Sequence, residues 1–123
     1  MEKISVFLDD YRNPPPGYAL VKTIDECIYL LLNQEINHLS LDHDLVDKTR
    51  NGLLLVKIMV EKGLFAGRIT VHSANSVGGK AMYTYLKDAQ LHFKMPNKII
   101  VSLKPLPLDF IPSRVLQHYS DTL

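Results

Sequence analysis

Five short strand-like runs alternate with segments of helical period, and this alternation constrains the fold more tightly than any other feature of the chain. The runs cover residues 4–8, 18–22, 38–41, 68–72 and 97–103. They are brief, largely apolar and contain β-branched residues, as buried strands do. Helical-period segments cover about residues 23–33, 53–62, 77–89 and 112–119. Thr23 and Glu26 form a capping box at the start of the first. Gly63 is placed to stop the second, and Pro112 suits the first turn of the last. This order predicts an α/β three-layer sandwich: a mostly parallel five-stranded sheet with helices on both faces. The 123 residues suit one domain spanning residues 1–123, with no internal repeat and no linker.

Composition removes several classes of function. Fourteen Lys and Arg against thirteen Asp and Glu leave a formal charge of +1. That balance cannot supply the phosphate contacts that dominate duplex binding, so no duplex nucleic acid is expected. A single cysteine, Cys27, excludes a disulfide within the chain and a cysteine zinc site, and on an apolar helix face it reads as core. Trp is absent, which removes an indole platform for a sugar or base. The first apolar run ends in Asp9-Asp10, unlike a secretory signal, and no apolar stretch approaches the ~20 residues of a membrane span. A soluble, cytoplasmic chain is expected.

The informative polar residues stand where strands end. Asp9 and Asp10 follow the first run, Asp42, His43 and Asp44 the third, His72, Ser73 and Asn75 end or follow the fourth, and Lys104 follows the fifth. An open parallel sheet places its ligand outside the carboxyl ends of its strands, so these residues are expected to converge on one site. Any one aspartate alone reads as a turn or capping residue; compatible polar groups at four separate strand ends do not. Three carboxylates, Asp9, Asp10 and Asp42, would repel one another unless one is protonated or a cation is held. Oxygen ligands suit a divalent cation such as Mg²⁺, with Mn²⁺ as an alternative. Ser73, Asn75, Lys104 and Arg12 suit anionic phosphate oxygens, Arg12 through paired N–H bonds. His43 and His72 titrate near neutral pH and suit general acid–base work, with nothing to say which is acid and which base. His38, His92 and His118 have no polar partners nearby in sequence and read as structural or surface residues. Whether Asp44 joins the site stays open.

The segments Leu8-Asp9-Asp10-Tyr11-Arg12-Asn13-Pro14-Pro15-Pro16-Gly17, Leu39-Ser40-Leu41-Asp42-His43-Asp44-Leu45 and Val71-His72-Ser73-Ala74-Asn75 carry a family resemblance. With Lys104-Pro105 they resemble response-regulator receiver domains, and more closely the divergent cyclic-phosphate-processing receiver-like domains. The resemblance implies a receiver/flavodoxin-like fold. It implies an acidic pair at Asp9 and Asp10 that holds Mg²⁺, a third aspartate at Asp42, and phosphate contacts from Ser73 and Lys104. It also implies action on a cyclic phosphate, either a cyclic nucleotide or the end of an RNA. Against an ordinary receiver, three consecutive prolines leave no room for the first crossover helix, so a proline-rich loop carrying Arg12 is expected in its place. That loop is expected to lie over the acidic site and open it to a larger ligand. The direction of residues 18–22 stays open between a parallel strand and an antiparallel or edge element.

Three functions fit these residues. The first is a metal-assisted phosphoesterase acting on a cyclic phosphate, with Asp9, Asp10 and Asp42 on the metal and His43 and His72 moving protons. The second is a signalling receiver phosphorylated on Asp42, which has no need of two acid–base histidines. The third is a non-catalytic binder, or sponge, of a cyclic nucleotide.

Overall fold

The computed structural model describes residues 3–104. Strands β1 (Ile4–Leu8), β2 (Tyr18–Val21), β3 (Ile36–Leu41), β4 (Arg68–Val71) and β5 (Ile100–Leu103) form one sheet in the order β2-β1-β3-β4-β5. Every neighbouring pair is parallel. Helices α1 (Ile24–Asn33), α2 (Gly52–Lys62) and α3 (Ser76–Leu91) make the crossovers. This is the receiver/flavodoxin-like order, with its switch point between β1 and β3.

The direction of residues 18–22 resolves simply. β2 runs parallel to β1, with Ser5 opposite Tyr18 and Leu8 opposite Val21, and it forms an edge of the sheet. Residues 9–17 carry no helix. A connection this short can still return to the start of a parallel strand. β2 is only four residues long, about 13 Å, and an extended proline-rich segment covers that distance easily.

Side-chain parity separates the two faces of the sheet. Val6, Leu8, Leu39, Leu41, Ile69, Val71 and Val101 join one core cluster with Ile24, Cys27, Leu55, Met59, Met82 and Leu86. All three described helices therefore pack on one face. A register shift between Ile4 and Ser5 leaves Asn37 as an extra residue in β3, which lets both Ile36 and Leu39 enter that core. Cys27 is fully buried there, and burial pushes its thiol up to about 12, as suits a core residue. The final helix expected at residues 112–119, with His118, lies outside the described residues.

The opposite face is polar at its centre. Phe7, Asp9, His38, Ser40, Asp42, Thr70 and His72 are all buried. His38 is structural, as expected, but its partners come from distant sequence. Its Nε2 lies 2.7 Å from Thr70 Oγ1, and its Nδ1 faces the Tyr18 hydroxyl and, at 3.2 Å, Arg68 Nη2. Burial, then the charge of Arg68, holds its pKa down at about 4. His92 is exposed at the end of α3, its Nδ1 2.8 Å from the Asp88 carbonyl. Among the described residues no helix is long and apolar enough to cross a membrane.

Gly52 opens α2 directly against the strand ends. A Cβ there would lie 2.2 Å from the Asp42 carbonyl oxygen, and backbone cannot yield as a flexible side chain can. Gly52→Ala is expected to cost about 3 kcal/mol, read as a lowered urea midpoint with an unchanged slope.

Candidate active site

The site begins with the turn that ends β1. Asp9 Oδ1 accepts the backbone N–H groups of Tyr11 and Arg12, both at 2.8 Å. This Asx-type turn folds the chain back at once and carries Arg12 over its own carboxylate. Arg12 Nη1 then donates to Asp9 Oδ2 at 2.8 Å and lies 3.6 Å from Asp42 Oδ2. The loop thus behaves differently from the expectation that it opens the site. Arg12 is only 4% exposed and plugs the space between Asp9 and Asp42.

His72, reaching across from the end of β4, completes this floor. Its ring stacks on Phe7 with centroids 4.3 Å apart. Nε2 lies 3.0 Å from Asp9 Oδ2 and Nδ1 2.7 Å from Ser40 Oγ. An ionised carboxylate only accepts, so Nε2–H donates to Asp9 and Nδ1 accepts the Ser40 hydroxyl. That is the neutral imidazole, in keeping with burial driving the His72 pKa down against the pull of Asp9. His72 has both ring nitrogens engaged and is 1% exposed, so it positions Asp9.

The two buried carboxyl groups are driven apart. Burial raises Asp9, but hydrogen bonds from His72, Arg12 and Tyr11 outweigh it and hold its pKa at about 2. Burial, then the charge of Asp9, pushes Asp42 up to about 7, against the pull of Arg12 and the Ser73 hydroxyl. One guanidinium beside two carboxylates neutralises Asp9 and leaves Asp42 to share a proton with solvent near neutral pH.

A circuit of hydrogen bonds links this floor to a more open rim. The His43 backbone N–H donates to Asp42 Oδ1 at 2.8 Å. His43 Nδ1 lies 2.7 Å from Asp44 Oδ1, which also accepts from Asn75 Nδ2 at 3.0 Å. The Asn75 backbone N–H donates to Ser73 Oγ at 3.0 Å, and the Ser73 hydroxyl pulls the Asp42 pKa down. Asn75 also caps α3 by accepting from the Gly78 N–H at 2.9 Å. The His43 ring lies flat against Gly78, where a Cβ would approach Cγ to 2.5 Å. Asp42, Asp9, Arg12, His72 and Ser73 are buried; His43, Asp44 and Asn75 are half-buried.

Asp10 and Lys104 complete the set expected from the sequence. Asp10 is half-buried beside Tyr11, whose hydroxyl is raised by burial and then by the Asp10 charge. Lys104 is exposed at the end of β5, and its charge is felt at His38. Among the described residues, Asp9, Asp42 and His72 bring potential metal-ligand atoms within 4.8 Å of one another. The trio of Asp9, Asp42 and His72 does not fit a hydrated Mg²⁺ as it stands. Asp9 already accepts four hydrogen bonds, which fills its lone-pair sites, and both His72 nitrogens are engaged.

Sequence reasoning missed Ser40, Phe7 and Gly78 and left Asp44 undecided. Period-two parity was the available signal for two of them. Phe7 with Asp9, and Ser40 with Asp42, stand two residues apart and so share a face.

Residues 4–88 match the cyclic-phosphate processing Receiver domain. The chain belongs to this family. The match takes in β1 through most of α3, and with them the acidic turn, the His43 rim and the α3 cap. No curated protein and no solved structure matches the chain.

The raised Asp42 pKa has a stability consequence. Between pH 3.8 and about 7 the folded chain keeps a proton that the unfolded chain releases. Its contribution is therefore present in acid and lost as pH rises through that window. In urea denaturation with chelator present, the stability of Asp42→Asn minus that of the wild type should grow from about pH 4 to about pH 7 and level off above.

Proposed function

We propose that this receiver-family domain is a phosphoesterase that opens a cyclic phosphate on a nucleotide or an RNA end. The observation that carries the reading is a carboxylate-oriented imidazole, His43 on Asp44, hydrogen-bonded through the same circuit to a buried carboxyl that holds a proton near neutral pH. Asp44 fixes the tautomer with the proton on Nδ1, so Nε2 of neutral His43 is free of that bond and can take a proton from water. The water oxygen forms a bond to phosphorus, the bond from phosphorus to one ribose oxygen breaks, and the departing oxygen takes up a proton. Protonated Asp42 is the group suited to give that proton, and two carboxyl groups with separated pKa values are the usual mark of such a division of labour. Arg12, Ser73, Asn75 and Lys104 supply the donors and positive charge for the phosphate oxygens. Such ligands arise in the cytoplasm, and we place the protein there.

A phosphoacceptor aspartate needs no carboxylate-oriented imidazole beside it, and the His43–Asp44 pair therefore weighs against a signalling receiver. The test is incubation of the full chain with 2′,3′-cyclic nucleotides, 3′,5′-cyclic nucleotides and cyclic-phosphate-ended RNA, with products resolved. One class should be opened to a monoester. His43→Ala should slow that reaction by about 10²–10⁴-fold, and Gly78→Ala, which displaces the ring, should slow it without unfolding the chain. Tight binding of one ligand with no turnover would favour a binder instead.

A further inference from the structure

The acidic cleft of this chain already contains a cation. Asp9 and Asp42, two carboxylates that would otherwise repel, have the Arg12 Nη1 between them at 2.8 and 3.6 Å. The Arg12 side chain is 3% exposed and those of Asp9 and Asp42 are 0% and 1% exposed, so solvent does not screen the arrangement. Asp9 has no lone pair left over, since each of its oxygens accepts two donors. A divalent ion bound here would have to displace the guanidinium and break these bonds, and Mg²⁺ demands near-ideal octahedral oxygen ligation. The guanidinium is also incompletely used. Nε and Nη2 of Arg12 and Oδ2 of Asp42 are buried and have no hydrogen-bond partner among the described residues. Two unpaired N–H donors on a buried cation are suited to the oxygen of an anionic ligand.

The local chain explains how an arginine comes to stand there. The turn held by Asp9 Oδ1 brings position 12 back over the carboxylate, and Pro14, Pro15 and Pro16 prevent the segment from winding into a helix that would carry it away.

We propose that Arg12 is the resident cation of this site, standing in the place of a divalent metal, and that the domain engages its anionic ligand without one. The nature of that ligand rests on the phosphoesterase reading above; the exclusion of the metal does not. A guanidinium neutralises and donates hydrogen bonds but cannot acidify a bound water, so water activation falls entirely to His43.

The test reads metal binding directly. Mn²⁺ is titrated into the full-length wild type, Arg12→Ala, Arg12→Gln and Arg12→Lys, with free Mn²⁺ followed by electron paramagnetic resonance and thermal melts run in parallel. The wild type and Arg12→Lys should bind no Mn²⁺ at the site up to about 1 mM and show no metal-induced rise in Tm. Arg12→Ala and Arg12→Gln lose the charge and open one lone-pair site on Asp9 Oδ2 and the flank of Asp42 Oδ2. They should bind Mn²⁺ at least about tenfold more tightly than the wild type and melt higher when it is added. If Arg12→Ala fails to fold without metal, Arg12→Gln and the wild type still decide. Micromolar Mn²⁺ binding by the wild type, or no gain in either neutral variant, would overturn the proposal. Turnover of a cyclic phosphate that is lost in chelator would also overturn it while leaving the phosphoesterase reading intact. Absence of turnover alongside the expected Mn²⁺ pattern would do the reverse.

Discussion

The buried pair of Asp9 and Arg12 is the interaction on which the rest of this domain turns. It forms within a single tight turn at the end of β1, from residues three positions apart. The same turn sends the chain back toward the start of β2, so the bond that neutralises the cleft also sets a parallel edge strand beside β1. Breaking such a pair from one side leaves an uncompensated charge in a dry site, which is far costlier than the pair is stabilising. Asp9 is accordingly held ionised by everything around it, and Asp42, left with only a share of one cation, is driven the other way.

That split gives the site its chemical character. The floor is buried and fully ordered by contacts: Phe7 supports the His72 ring, Ser40 sets its tautomer, and His72 steadies Asp9. The rim is half-open and holds His43, whose Nε2 is not used by these contacts. Its orientation comes from two loops at once, since Asp44 follows β3 while Asn75 caps α3 after β4. Floor and rim thereby differ in exposure yet are linked through the hydrogen bonds of Ser73, Asn75, Asp44 and His43. A receiver scaffold suits this because its strand ends already converge where the helices begin.

Much of the fold was legible in the chain. Short apolar runs alternating with helical segments foretold a parallel sheet, the Thr23–Glu26 capping box appears at the start of α1, and Gly63 ends α2 in a left-handed conformation. The site was legible as a set of residue types at strand ends. Its internal assignments were less so. His43 and His72 look equivalent in sequence, each beside a polar neighbour after a strand, yet one is half-exposed and the other sealed against Phe7. Nothing local separates them, because the difference arises from which strand lies next to which. The same holds for His38, whose partners Tyr18, Arg68 and Thr70 come from β2 and β4.

By itself the sequence determined the strand and helix pattern, the absence of a first crossover helix and the gathering of carboxylates, histidines and phosphate-seeking groups at one sheet edge. These follow from local rules: apolar periodicity, the geometry of proline, and the period of two along a strand. Only the tertiary structure decided which charge answers which. Arg12 reads in sequence as a clamp for a ligand alone, and the fold turns one face of it inward onto Asp9 and Asp42. The physical reason is that burial and pairing energies depend on distances between strands that are remote in sequence. A carboxylate, an imidazole or a guanidinium acquires its role from its neighbours across the sheet.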